Sequence, residues 1–155
     1  MNTAKISAFA MILTLLTACG SVDQPSSANT QNPPEASAMR IRVTIGQTPL
    51  DARLLDNATA RDFASLLPLT IHMKDLHGEE KYGPLQRPLA AGTGQSTHAV
   101  GDFGFWSPGT EIAVYYRDGE SIPGPGIVMI GRIDRLGDAL SQSDDTVDVT
   151  FSAAD

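Results

Sequence analysis

The stretch Gly101–Tyr116, GDFGFWSPGTEIAVYY, constrains the fold of this chain more than any other. Phe103, Phe105 and Trp106 stand on one side of Ser107-Pro108-Gly109, and Tyr115 and Tyr116 follow on the other. Aromatic and β-branched residues suit a half-buried pleated surface, and a Pro-Gly pair suits a tight reversal. Two strands meeting at a turn are therefore expected here, with the aromatic side chains building a core.

The flanking segments carry the same period. Ile41, Val43 and Ile45 alternate with Arg40, Arg42 and Thr44, which places three apolar side chains on one face of a strand ended by Gly46. Leu50, Ala52 and Leu54 repeat the spacing in a hairpin partner over residues 48–55, and Leu69, Ile71 and Met73 do so in a third strand followed by a turn at Asp75–Gly78. Between them, Thr59-Ala60-Arg61-Asp62 reads as a capping box opening a short helix that covers a barrel end and stops at Pro68. Ile127–Ile133 is a near-continuous apolar run suited to a strand buried on both faces, and Val147, Val149 and Phe151 alternate in a closing strand. With 14 Gly and 10 Pro in 155 residues, turns are frequent. Short alternating strands with many turns favour a mainly β fold, a small closed or nearly closed barrel with one or two short helices, because closure removes exposed strand edges.

The N-terminus reads as an address. Lys5 precedes the apolar run Ala8–Leu16, which is too short to span a bilayer comfortably and right for a signal-peptide core. Leu16-Thr17-Ala18-Cys19 then resembles a bacterial lipobox, which implies cleavage after residue 18 and lipidation of Cys19, the only cysteine. Gly20 in the next position resembles the sorting pattern for the outer membrane of a Gram-negative cell, facing the periplasm. Residues 19–38 are rich in Ser, Gln, Asn, Pro and Ala with little to bury, so a lipidated Cys and disordered tether are expected before a monomeric domain at residues 39–155. The formal charge of −7 argues against a nucleic-acid partner, since phosphate binding needs clustered Lys and Arg.

The segments also resemble the bacterial cyclophilin-like domain family over residues 39–152. The matching positions are Glu80-Lys81 and Leu85, Gly101-Asp102 with Phe103, Phe105-Trp106 and Pro108, Ile112–Tyr116, Ile130-Gly131-Arg132-Ile133, and the stretch Asp134–Leu140. The resemblance implies a cyclophilin-like barrel. A surface ion pair at Glu80-Lys81 would contribute only about 0–1 kcal/mol, too little to explain that motif by stability alone.

Candidate chemistry is sparse. The Phe-His-Arg and Gly-Gln-Phe signatures of true cyclophilins do not occur in this sequence, which weighs against peptidyl-prolyl isomerisation, although Arg87 or Arg132 beside Phe105 and Trp106 would imitate the arrangement. His72, His77 and His98 lack paired ligand spacing, so no metal site is expected. There is no Gly-x-Ser-x-Gly elbow, and Gly92-Thr93-Gly94 lacks the spacing of a phosphate loop, so no cofactor is expected. The carboxylate pairs Glu79-Glu80 and Asp144-Asp145 read as solvated turns, since adjacent side chains on an extended segment point to opposite faces. A binding module remains, with Arg87, Phe105, Trp106, Tyr116 and Arg132 forming an aromatic and cationic wall for an extended peptide or small molecule; the isomerase is the alternative.

Overall fold

The computed structural model describes residues 38–119 and 121–154. The expectations for residues 1–37, including lipidation at Cys19 and the tether as far as residue 37, lie outside the described residues. Eight strands follow the alternating segments: β1 (Arg40–Ile45), β2 (Thr48–Leu54), β3 (Leu69–Leu76), β4 (Glu80–Pro84), β5 (Asp102–Trp106), β6 (Glu111–Tyr115), β7 (Val128–Ile133) and β8 (Thr146–Ala153). They close into an antiparallel barrel in the order β1-β2-β7-β5-β6-β4-β3-β8. Every strand therefore has two ladder partners and none has a free edge. Among the described residues there is one helix, α1 (Ala58–Ala64).

The interior is filled by alternate residues of all strands. Ile41 and Val43 of β1, Met73 of β3, Ile112 and Val114 of β6, and Val149 and Phe151 of β8 are all buried in one cluster. Helix α1 adds Phe63 to it: its ring meets Phe151 edge-on at 5.2 Å and lies 6.2 Å from Phe103. Three phenylalanine rings brought together from a helix, β5 and β8 tie distant parts of the chain to one core.

Two local expectations change. The helix is not opened by a Thr59–Asp62 box: Asn57 is the N-cap, its Oδ1 accepting the Ala60 N–H at 2.8 Å while its Nδ2 donates to the Met129 carbonyl at 2.9 Å. Asn57 satisfies both a free helix N–H and a carbonyl of β7, and this leaves Thr59, already inside the helix, to donate to the Ala90 carbonyl at 2.8 Å. The turn after β3 also comes later than Asp75. The strand runs on to Leu76, and the reversal falls on His77-Gly78-Glu79, where His77 (φ 56°) and Gly78 (φ 71°) adopt the left-handed conformation that hairpin turns need. Asp75, now at the strand end, accepts the Gly78 N–H at 2.8 Å.

Candidate ligand-binding cleft

The β4–β6 ladder sets the geometry of the site. Its register pairs Glu80 with Tyr115, Tyr82 with Ala113 and Pro84 with Glu111. Side chains alternate along a strand, so Glu80, Tyr82, Glu111, Ala113 and Tyr115 share the outer face, while Lys81, Ile112, Val114 and Tyr116 turn inward. On β5, Trp106 stands opposite Glu111 and Gly104 opposite Ala113. Ile127 reaches this face from the loop before β7, with Ile122 packed against the same small cluster of Ala113, Tyr115 and Met129. Gly104 permits this approach: a Cβ there would lie 2.8 Å from the Ile127 side chain and 2.9 Å from the Val128 carbonyl.

These elements enclose a cleft of about 520 Å³. Its floor is Tyr82, Ala113, Tyr115 and Ile127, its walls include Trp106 and the Ser121–Pro123 loop, and its polar groups are Glu79, Glu80, Glu111, His77 and His98. That volume lies within the range of small-molecule sites, which combine an apolar lining with a few placed polar groups.

The electrostatics of the cleft follow from partial burial. Loss of water raises the Glu80 carboxyl above its ordinary pKa, with the Tyr115 hydroxyl and the His98 and His77 rings offsetting part of the rise and Glu79 adding to it. Burial also pushes the Tyr115 phenol well above its ordinary value, helped by the charge of Glu80 beside it. The His98 ring stacks on Tyr115 with centroids 3.9 Å apart and an interplanar angle of 21°. Its Nε2 donates to the Arg117 carbonyl, which can only accept, at 3.3 Å. Among the described residues, neither Nδ1 of that ring nor Glu111 Oε2, which packs against Gly109, has a hydrogen-bond partner, and both atoms are buried. The Lys74 ammonium stands 5.0 Å from the centroid of the Tyr82 ring. Among the described residues, no group of three or more His, Cys, Asp or Glu side chains is placed to hold a metal ion.

Of the residues singled out from the sequence, Trp106 lines the cleft. Phe105, 1% exposed, and Tyr116 belong to the barrel interior. Arg87 grips Asp62 with both terminal nitrogens, at 3.0 and 2.6 Å. That contact, with the Ala90 N–H, holds the Asp62 carboxyl at about 2. Arg132 donates to Asp102 at 2.9 Å and to the Val100 carbonyl at 3.0 Å. The five side chains therefore do not converge. The cleft instead gathers Glu80, Glu111, His98, Tyr82 and Tyr115, which the sequence reading had not assigned to a site. Strand parity is the signal that finds most of them: Glu80 and Tyr82 are two apart, as are Glu111, Ala113 and Tyr115. Glu80 is not a solvated turn residue, and its neighbour Lys81 is no surface ion, being 2% exposed.

A sequence profile described as the cyclophilin-like family matches residues 43–152, and the chain belongs to that family. The solution structure of a hypothetical protein from Archaeoglobus fulgidus superposes with a TM-score of 0.60, covering 76% of this chain and 95% of that one at 23% identity. That likeness extends to the fold. No curated protein sequence matches the chain.

Proposed function

We propose that this cyclophilin-like domain is a ligand-binding module whose site is the outer cleft on β4, β5 and β6, held at the bacterial outer membrane through lipidated Cys19. The observation that carries the binding reading is the cleft itself: about 520 Å³ over an apolar and aromatic floor, bordered by carboxylates and two histidines. Prolyl isomerisation is disfavoured as the activity because no arginine lines the cleft, and both candidate arginines are held by carboxylates elsewhere.

Trp106 is the only tryptophan, so its emission reports occupancy of the cleft. Titration of the full chain with peptides, X-Pro peptides included, and with small organic ligands should give a saturable change for at least one probe. Ala113→Phe, which fills the floor, should abolish it. A protease-coupled assay should show X-Pro isomerisation at the uncatalysed rate, and strong acceleration removed by Ala113→Phe would replace binding with catalysis. The anchor is tested separately: Cys19→Ser should lose metabolic lipid labelling, and a normally labelled, normally processed variant would refute it.

A further inference from the structure

The end of the barrel where the described chain begins differs from the rest of its surface. Met39 and Leu55 are the exposed large hydrophobic residues among the described ones, at 55% and 47% exposure. Both stand at this end: the Leu54 N–H donates to the Met39 carbonyl at 2.9 Å, and Leu55 comes directly after β2. With Ala38 and with Ala60 and Ala64 of α1 they line a groove of about 260 Å³. Single exposed apolar residues are ordinary, but two large ones on the lips of one apolar groove form a patch.

Beside the groove, the sheet register sets three arginines in a row. Arg40 of β1 stands opposite Arg53 of β2, which stands opposite Arg132 of β7. All three are exposed on the outer face. Leu55, whose N–H pairs with the Ile130 carbonyl, follows Arg53 at the spacing of two that keeps it on that face. Like charges directly opposite each other destabilise a sheet, and Asp134 and Asp102, which hold Arg53 and Arg132 at 2.9 Å, offset part of that cost. In a chain of net charge −7 the row is a local exception, and guanidinium groups match phosphate oxygens.

Resting on the anchored reading above, we propose that this end of the barrel is a second membrane contact: Met39 and Leu55 enter the headgroup layer of the phospholipid bilayer that holds Cys19, and Arg40, Arg53 and Arg132 take lipid phosphates. Residues 20–37 join Cys19 to Ala38 at the groove. A coil of that length averages about 25 Å between its ends, so the anchor keeps this end near the bilayer and lets a small patch suffice. In the strand order, β6 and β4 lie across the barrel from β1 and β2, so the docked domain turns its cleft away from the lipid.

The test uses the mature lipidated protein in vesicles of phosphatidylethanolamine and phosphatidylglycerol. With Cys19 occupied by lipid, Leu55→Cys and Gln47→Cys each offer one thiol to a bimane dye, and Gln47 lies at the opposite end of the same β1–β2 hairpin. Brominated phospholipid should quench most of the emission from residue 55 and leave that from residue 47. Met39→Ser should lower the docked-to-free ratio read this way by roughly fivefold. Arg40→Gln combined with Arg53→Gln should lower it by roughly fivefold at low salt and by less at high salt. Equal quenching at the two positions, or quenching at residue 55 that none of these substitutions changes, would overturn the proposal. A dye at residue 55 shielded from aqueous iodide yet untouched by brominated lipid would mean that a second copy or residues 20–37 cover the groove, and would overturn it as well. If Cys19 of the unmodified protein takes dye, the anchor fails, and the same labels on a Cys19→Ala background with added vesicles decide the docking alone.

Discussion

The two faces of the β4–β6 ladder carry similar side chains in opposite states. Inward, Lys81 donates to the Asp144 carbonyl at 2.8 Å and the Asp145 carbonyl at 3.4 Å, and stands 3.3 Å from Asp75. The Tyr116 hydroxyl donates to the same Asp75, whose other oxygen takes the Gly78 N–H. Outward, one residue away on each strand, Glu80 and Tyr115 stand over a cleft lined also by Glu111 and His98, each of which keeps a buried atom with no partner among the described residues. The pKa directions record the contrast. Burial pushes Asp75 up, yet the bonds from Tyr116, Gly78 and Lys81 outweigh it and leave the carboxyl below its ordinary value. Glu80, with fewer compensating donors, ends above its ordinary value. A satisfied cluster holds structure together, whereas an unsatisfied one at the edge of a cleft is where a ligand adds most. The Glu80-Lys81 motif thus divides between two tasks on two faces of one strand.

The contrast breaks first, and by the most, at Lys81. Lys81→Met leaves the Asp75 carboxylate and two carbonyls without their donor, and breaking a buried ion pair costs about 3–5 kcal/mol. Asp75 keeps about a quarter of its side chain in water, with 26% exposure, so a loss of about 2–4 kcal/mol is expected. Urea denaturation measures it. An unchanged midpoint would mean that the inner cluster does not hold the loop at Asp144-Asp145 to the barrel.

The adjacent tyrosines sharpen the same comparison at a smaller scale. Tyr116→Phe removes a donor from a charged, half-buried carboxylate and should cost about 1.5–3 kcal/mol. Tyr115→Phe, beside a carboxyl that cleft water can reach, should cost no more than about 1 kcal/mol. Similar losses in the two variants would erase the distinction between the faces.

Much of this was legible in the sequence, and the remainder was hidden for definable reasons. Ile41, Val43 and Ile45 alternate cleanly against arginines and threonine before a glycine, so β1 reads directly. Ile127–Ile133 declares a strand buried on both faces because nothing polar interrupts it before Arg132. Trp106, singled out from the sequence, does line the cleft. Tyr116 was misplaced because aromatic character outweighed parity: it shares the phase of Ile112 and Val114, so it turns inward and Tyr115 turns out. Phe105 and Trp106 likewise cannot face the same side from adjacent positions of one strand. Arg87 and Arg132 looked free because their partners, Asp62 and Asp102, lie 25 and 30 residues away and become neighbours only when the barrel closes. Asn57 was passed over as an N-cap because Thr59 and Asp62 matched a local pattern, and the Met129 carbonyl that also holds Asn57 comes from β7.

The smallest effect is the most discriminating, because the two faces should respond to pH with opposite sign. Asp75 has a folded pKa below its ordinary 3.8, so the native state binds its proton less tightly than the unfolded chain does. Its contribution to stability is present above 3.8 and is lost as pH falls through the folded value. Glu80 has a folded pKa above its ordinary 4.5, so between 4.5 and that raised value the native state holds the proton that the unfolded chain releases. Stability due to Glu80 therefore declines as pH rises through this window. Glu80→Gln keeps an uncharged group of nearly the same shape beside Tyr115 and removes the decline. Its stability relative to the unmodified protein should match at low pH and grow more favourable above 4.5, while Asp75→Asn should match in strong acid and grow less favourable as pH rises from the folded Asp75 value to 3.8, with the full deficit present above that. Urea midpoints collected across the acid range give both curves. If they bend in the same direction, the outer carboxylate is as well satisfied as the inner one, and the two faces of the ladder are electrostatically alike.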